Sequence, residues 1–238
     1  PQVRWQFQGR LTPVSMEAFS HAVGWPSLAG ELSGVIPRVT YTQGVVQADS
    51  NLRMQVFNGT VTMRNLRLEQ PLSIVPQLFA DIDLERLDLK TVTKAFSFGK
   101  IQGQLSGRID KLHMADWQPV SFDAQFATPP DDPSPHSISQ KAVDNLSSLG
   151  GVGGALSRSF LGVFDEFSYS RLGLSCRLQN DVCVMDGLAP AEEGGYYIVK
   201  GGGLPPRIDV IGYVHRVDWS ELVERLKRTT NNPAPIVR

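Results

Sequence analysis

The sequence holds little of what a reaction or a metal centre needs. Its two cysteines and four histidines, His21, His113, His136 and His215, fall at no spacing that would converge on a metal ion. The stretches "GELSG" (30–34) and "GQLSG" (103–107) put serine fourth, so neither is a Gly-x-Ser-x-Gly elbow, and Ser33 and Ser106 fall on the polar parity of their segments. The Gly-rich stretch 150–154 follows a helical pattern and lacks a Gly-Lys-Ser/Thr ending, which makes it a hinge between helices instead of a phosphate loop. No enzyme and no cofactor are therefore expected. Charge excess of one sign is missing too. Twenty-three Lys and Arg against 24 Asp and Glu leave a formal net charge of −1, no footprint for a phosphate backbone, so nucleic acid is not an expected partner. No apolar run reaches the roughly 18 residues that cross a bilayer. Nor does a secretory leader open the chain. Because it starts inside what reads as a strand, "PQVRWQFQGRL", the sequence is expected to be a piece of a longer protein with any anchor upstream.

What the sequence does have is alternation. In "GKIQGQLSGRIDKL" (99–112) one parity carries Ile101, Gly103, Leu105, Gly107 and Ile109, and the other Gln102, Gln104, Ser106, Arg108 and Asp110. The pattern recurs at Leu28, Gly30, Leu32, Gly34 and Ile36, and more weakly at Trp5, Phe7, Gly9 and Leu11. Glycine inside a strand marks a bulge, a bend, or a close approach by another backbone or a ligand. "LRMQVFNGTVTMRN" reads as a hairpin turning at Asn58-Gly59, with Leu52, Met54 and Val56 on the face of Val61 and Met63. The parity then slips to Leu66 and Leu68, which predicts a bulge near Arg64 and Asn65. "VSFDAQF" alternates with Phe122, Ala124 and Phe126 on its apolar side.

Three segments are expected: strands over 1–128, a Pro-rich linker with two amphipathic helices over 129–168, and a C-terminal sheet with a closing helix and tail over 169–238. "TPPDDPSPHS" (128–137) marks the internal boundary, with Asp131 and Asp132 in a solvated loop. Helical spacing appears in "SMEAFSHAV" and in "LKTVTKAF" (Leu89, Val92, Phe96). It appears again at Ala142, Val143, Leu146 and Leu149, and at Leu156, Phe160, Val163, Phe164 and Phe167. Asp218 to Glu221 resembles a capping box that turns Leu222, Val223 and Leu226 inward. A two-residue turn at Gln179-Asn180 would set Cys176 opposite Cys183 and Leu174 opposite Met185, close enough for a disulfide; two reduced, buried thiols are the alternative.

The stretches "FNGTVTMRNLRLEQP", "DIDLERLDLKTVTKAFSFGKIQGQLSGRIDKLHMADWQPVSFDAQF" and "ISQKAVDNLSSLGGVGGALSRSFLGVFDEFSYSRLGLSC" together resemble the C-terminal region of YdbH-like proteins. These belong to the AsmA-like superfamily with TamB and YhdP. The resemblance implies a long protein anchored in the bacterial inner membrane, crossing the periplasm as a curled β-sheet. Its open groove carries phospholipid acyl chains between the inner and outer membranes, and a small outer-membrane lipoprotein meets its distal end. The expected fold is mainly β with short helices, an antiparallel sheet curled into an open apolar groove. A closed β-sandwich is the alternative, because alternation alone does not say what covers the apolar face. The expected lipid-lining residues are Leu52, Met54, Val56, Val61, Met63, Ile101, Leu105, Ile109, Phe122 and Phe126. A docking module that recruits the lipoprotein by strand addition, without binding lipid, is the competing function.

Overall fold

The computed structural model describes residues 4–15, 17, 31–150 and 164–231. The chain begins as a meander of β1 (Arg4–Ser15), β2 (Glu31–Thr42), β3 (Val45–Ala48), β4 (Leu52–Val56), β5 (Gly59–Glu69) and β6 (Gln77–Asp88). β3 and β4 share one lane, both lying between β2 and β5. Helix α1 (Leu89–Ala95) starts on Asp88, whose carboxylate accepts from the Thr91 N–H at 2.7 Å. Next come β7 (Ile101–Gln102), β8 (Gln104–Ala115), β9 (Gln118–Ala127), β10 (Ser137–Ser139) and helix α2 (Gln140–Leu149). The rest comprises β11 (Glu166–Gln179), β12 (Val182–Gly187), β13 (Tyr196–Gly201), β14 (Val210–Gly212), β15 (Arg216–Asp218) and helix α3 (Trp219–Asn231). Among the described residues the fold is mainly β: a curled antiparallel sheet of many strands that forms no regular barrel, with three short helices.

The curl has a local cause. Asn65 on β5 and Lys111 on β8 sit at φ +54° where the ladders lose register, so both strands bulge. Asp81 on β6, between them, joins the two bulges. One of its carboxylate oxygens accepts from Asn65 Nδ2 at 2.6 Å and the other from the Lys111 N–H at 2.7 Å. These bonds hold the Asp81 carboxyl below its ordinary value, the Lys111 N–H contributing most. Bulges on the two strands that flank β6, tied through one side chain, bend this part of the sheet together.

β11 is the pivot of the architecture. Its first residues pair with β10 and β13, and its later ones with β9 and β12. The β9–β11 ladder crosses the proline-rich segment, so strands before and after residues 128–137 share one sheet. The main core lies at this end, where Leu146, Met185, Tyr196, Ile198, Val210 and Leu222 are buried together. α2 buries Ala142, Val143, Leu146 and Leu149, the face its spacing predicts. In α3, Asp218 Oδ1 accepts from the Glu221 N–H at 3.1 Å, and Leu222 turns into the core.

Several expectations are corrected. The first hairpin turns at Phe57-Asn58, not Asn58-Gly59: both turn residues have positive φ, and Gly59 pairs with Val56. The second turns at Asn180-Asp181, so Cys176 opposes Met185 and Leu178 opposes Cys183. α1 buries Leu89 and Thr93, while Phe96 is exposed, because the core lies beneath the helix start. Phe164 is outside any helix, and Phe167 lies in β11. Leu156, Phe160, Val163 and most of "SMEAFSHAV" lie outside the described residues.

Candidate functional site

Two rows of apolar side chains run across the strands on one face. The first is Met54, Val61, Leu84, Gly107, Phe126 and Leu174, and the second Leu52, Met63, Ile82, Ile109, Ala124, Cys176 and Met185. From β4 to β8 the side chains are half-buried; Ala124 is buried, and at β12 Met185 is 2% exposed. One face is thus partly open over the middle strands and covered at the C-terminal end. The open and closed arrangements expected as alternatives occupy different stretches of the same rows.

Of the ten expected lining residues, Leu52, Met54, Val61, Met63, Ile109 and Phe126 lie in these rows. Val56 shares their face but is 8% exposed, in a small cluster with Met54, Phe57, Val61 and Ala95. Ile101 does not line the open stretch. It sits on the two-residue β7, paired with Ile138 and 3% exposed in the main core. Leu105 is partly buried and packs against that core as well, not along the open stretch. Phe122 meets the Trp219 ring edge-on at 5.4 Å, under α3. Ile82 and Leu84 were missed, although Leu78, Ala80, Ile82 and Leu84 alternate against Phe79, Asp81, Asp83 and Glu85.

The strand glycines mark close approaches. A Cβ on Gly107 would strike the Gln125 carbonyl and lie 2.7 Å from Phe126 Cδ1, since the Phe126 ring leans across it. A Cβ on Gly59 would lie 2.6 Å from the Glu85 carbonyl oxygen and 2.7 Å from that of Arg86. Gly103 needs its freedom: its φ is +131°, and a Cβ would meet the Tyr169 hydroxyl at 2.5 Å.

The opposite face is laced with charge. Arg64 donates to Asp83 at 2.6 Å and lies 3.7 Å from Asp110, while Arg177 reaches Asp123 at 2.9 Å. A groove of about 800 Å³ passes Ser106, Arg108, Gln125 and Asp186 of this polar parity and is bounded by Pro129 and Pro130; Leu84, Phe126, Leu174 and Leu188 also line it, so its wall is mixed.

The expected solvated loop around Asp132 is corrected. The Asp132 side chain is 0% exposed. It accepts from the Gln104 N–H at 2.7 Å, from the Ser134 N–H at 2.9 Å and hydroxyl at 2.6 Å, and from His136 Nε2 at 3.0 Å. Burial pushes the carboxyl up, but these bonds outweigh it and hold it down to about 2. The His136 ring stacks on Tyr169 at 5.0 Å, and its Nδ1 lies 3.2 Å from the Ser170 carbonyl. The Tyr169 hydroxyl, pushed up by burial and then by the Asp132 charge, donates to the Gln102 carbonyl at 2.5 Å. Every lone pair of Asp132 is engaged in fastening the loop, which leaves none for chemistry. No group of His, Cys, Asp and Glu among the described residues could hold a metal.

Cys176 and Cys183 are joined as a disulfide, with Cα atoms 5.6 Å apart. They are diagonal neighbours across β11 and β12, not directly opposed. No helix among the described residues is long and apolar enough to cross a membrane. No family model, curated protein or solved structure matches the chain, so the half-open apolar face has to be read from its own geometry.

Proposed function

We propose that this chain is the distal part of a bridge-like lipid-transfer protein of the bacterial periplasm, non-enzymatic, that carries phospholipids between the inner and outer membranes with their acyl chains on the half-open face. The carrying observation is the pair of apolar rows that stay half-buried from β4 to β8 while the polar parity behind them is filled with ion pairs. From β4 to β8 there are three strand spacings, about 14 Å of contour. One leaflet of a bilayer is about 15 Å of hydrocarbon, so the open stretch takes most of an acyl chain laid across the strands. Each methylene withdrawn from water contributes about 0.8 kcal/mol. The resemblance to YdbH-like proteins supports the same reading, and the Cys176–Cys183 bridge suits an oxidising compartment. In that setting the whole protein is anchored in the inner membrane upstream of this chain.

The test is mass spectrometry of the chain purified from a bacterial host without detergent. Co-purified diacyl phospholipid, with little headgroup preference because the rows carry no charge, is the expected result. A lipid-free protein whose rows are filled by other parts of the chain would overturn the reading. Docking to an outer-membrane lipoprotein by strand addition is compatible with lipid carriage. β14 favours it, since among the described strands it pairs with β13 alone, whereas β13 is flanked by β11 and β14.

A further inference from the structure

Three neighbouring hairpin ends meet at one rim of the sheet: Gln43-Gly44, the loop 70–76, and Asp116-Trp117. Backbone hydrogen bonds tie them together, from the Gln70 N–H to the Gly44 carbonyl at 2.7 Å and from the Asp116 N–H to the Pro76 carbonyl at 3.0 Å. On this fixed rim Leu72 is 95% exposed, Ile74 93% and Trp117 59%. The segment Pro71–Pro76, PLSIVP, carries no charge, and Pro76 is buried where the loop rejoins the sheet.

We propose that this rim seats the protein on the surface of a phospholipid bilayer, with Leu72, Ile74 and Trp117 inserted among the headgroups and upper acyl chains. Aliphatic side chains that stand almost wholly clear of their own protein offer little flat area to a protein partner. A fluid interface can surround them on every side. Trp beside them is the aromatic residue that favours the membrane–water boundary. Charge selects the kind of bilayer. Over residues 42–44, 67–77 and 113–118 the charged side chains are Arg67, Glu69 and Asp116, and Arg67 is paired with Glu69. The rim is therefore slightly negative, which suits neutral headgroups and gains nothing from anionic ones. Just below it the row Val46, Leu68, Leu78 and Met114 continues the apolar face. On the lipid-carrying reading above, on which this last step rests, an acyl chain leaving the bilayer at the rim meets apolar side chains at once.

The experiment is co-flotation of the 238-residue chain with phosphatidylcholine vesicles, beside a Leu72→Asp/Ile74→Asp variant and a Leu204→Asp control at an aliphatic side chain 82% exposed away from the rim, with the fold of each checked by circular dichroism. The chain and Leu204→Asp should float, the loop variant should float at least about tenfold less, and adding anionic lipid should not strengthen binding. Brominated lipid should quench a share of the emission that disappears in Trp117→Phe, a readout that does not depend on the loop variant folding. A chain that stays with the unbound fraction overturns the proposal. So does equal flotation of the loop variant, binding that requires anionic lipid, or self-association abolished by the loop change without any flotation. If the chain floats through Leu72 and Ile74 yet carries no lipid, the rim stands and the lipid-carrying reading fails.

Discussion

The Asp132 carboxylate accepts four hydrogen bonds, and its ionisation leaves a measurable mark on stability. Its folded pKa falls from an ordinary 3.8 to about 2, so between those values the unfolded chain binds the extra proton and stability rises with pH. The contribution, about 2 kcal/mol, is fully present above about pH 5 and is lost as pH falls through 2. Asp132→Asn should cost at least that much at pH 7 in urea titrations, and the gap from the unchanged protein should close toward pH 2; a gap independent of pH would contradict it. Nothing in "TPPDDPSPHS" announced this, because the partners are the backbone of β8, a ring on the far side of the loop and a local Ser turn. Composition reports the solvated loop such residues usually form. Gly107 was legible as an exception within a strand, but not its reason. Gly107→Ala should cost about 1–3 kcal/mol, because the Gln125 carbonyl and the Phe126 ring occupy the Cβ position.

At the scale of strands, parity was readable and register was not. Both hairpins turn one residue from the expected place, which shifts their pairing by two and leaves every side chain on its expected face. Leu52, Met54 and Val56 still share a face with Val61 and Met63, and Cys176 still shares one with Cys183. The Asn58-Gly59 signal misled because Gly59 serves the approach of Glu85 and Arg86 instead of the turn. Ile101 was misplaced for another reason: β8 starts after the irregular Gly103, so residues 101 and 105 belong to different ladders. The second row gives a paired prediction. Met185→Arg buries a charge at a position 2% exposed and should unfold a domain of marginal stability. Ile82→Arg, in the same row but half-buried, lets the guanidinium reach water; it should shift the melting temperature by about 2–4 °C and remove co-purified lipid. Equal losses of stability would show the row to be closed throughout. Reducing the Cys176–Cys183 bridge, which spans a separation of 7 residues, should lower stability by about 2 kcal/mol in urea titrations with and without thiol.

For the whole molecule, burial is uneven: the deepest side chains cluster around β11 to β15, α2 and α3, while Trp5 and Phe7 on β1 are about half exposed, at 46% and 53%. Amide exchange should accordingly fall in two tiers, slow and cooperative over β11–β13 and faster by local opening over β1–β3; uniform protection would refute this. The mainly β class and the helix α2 were legible because their periods are long and regular, whereas the division of one face into open and covered stretches depends on contacts between residues far apart in sequence. β11 makes that division matter while the chain is being synthesised. β8 and β9 can pair as soon as they leave the ribosome, but β9 must wait for β11, and β12 for β15 at Arg216–Asp218, before the buried half has its partners. A growing chain therefore shows its apolar rows to the surroundings for most of its elongation and closes one end of them only near completion, an interval in which a holding chaperone would find a ready substrate.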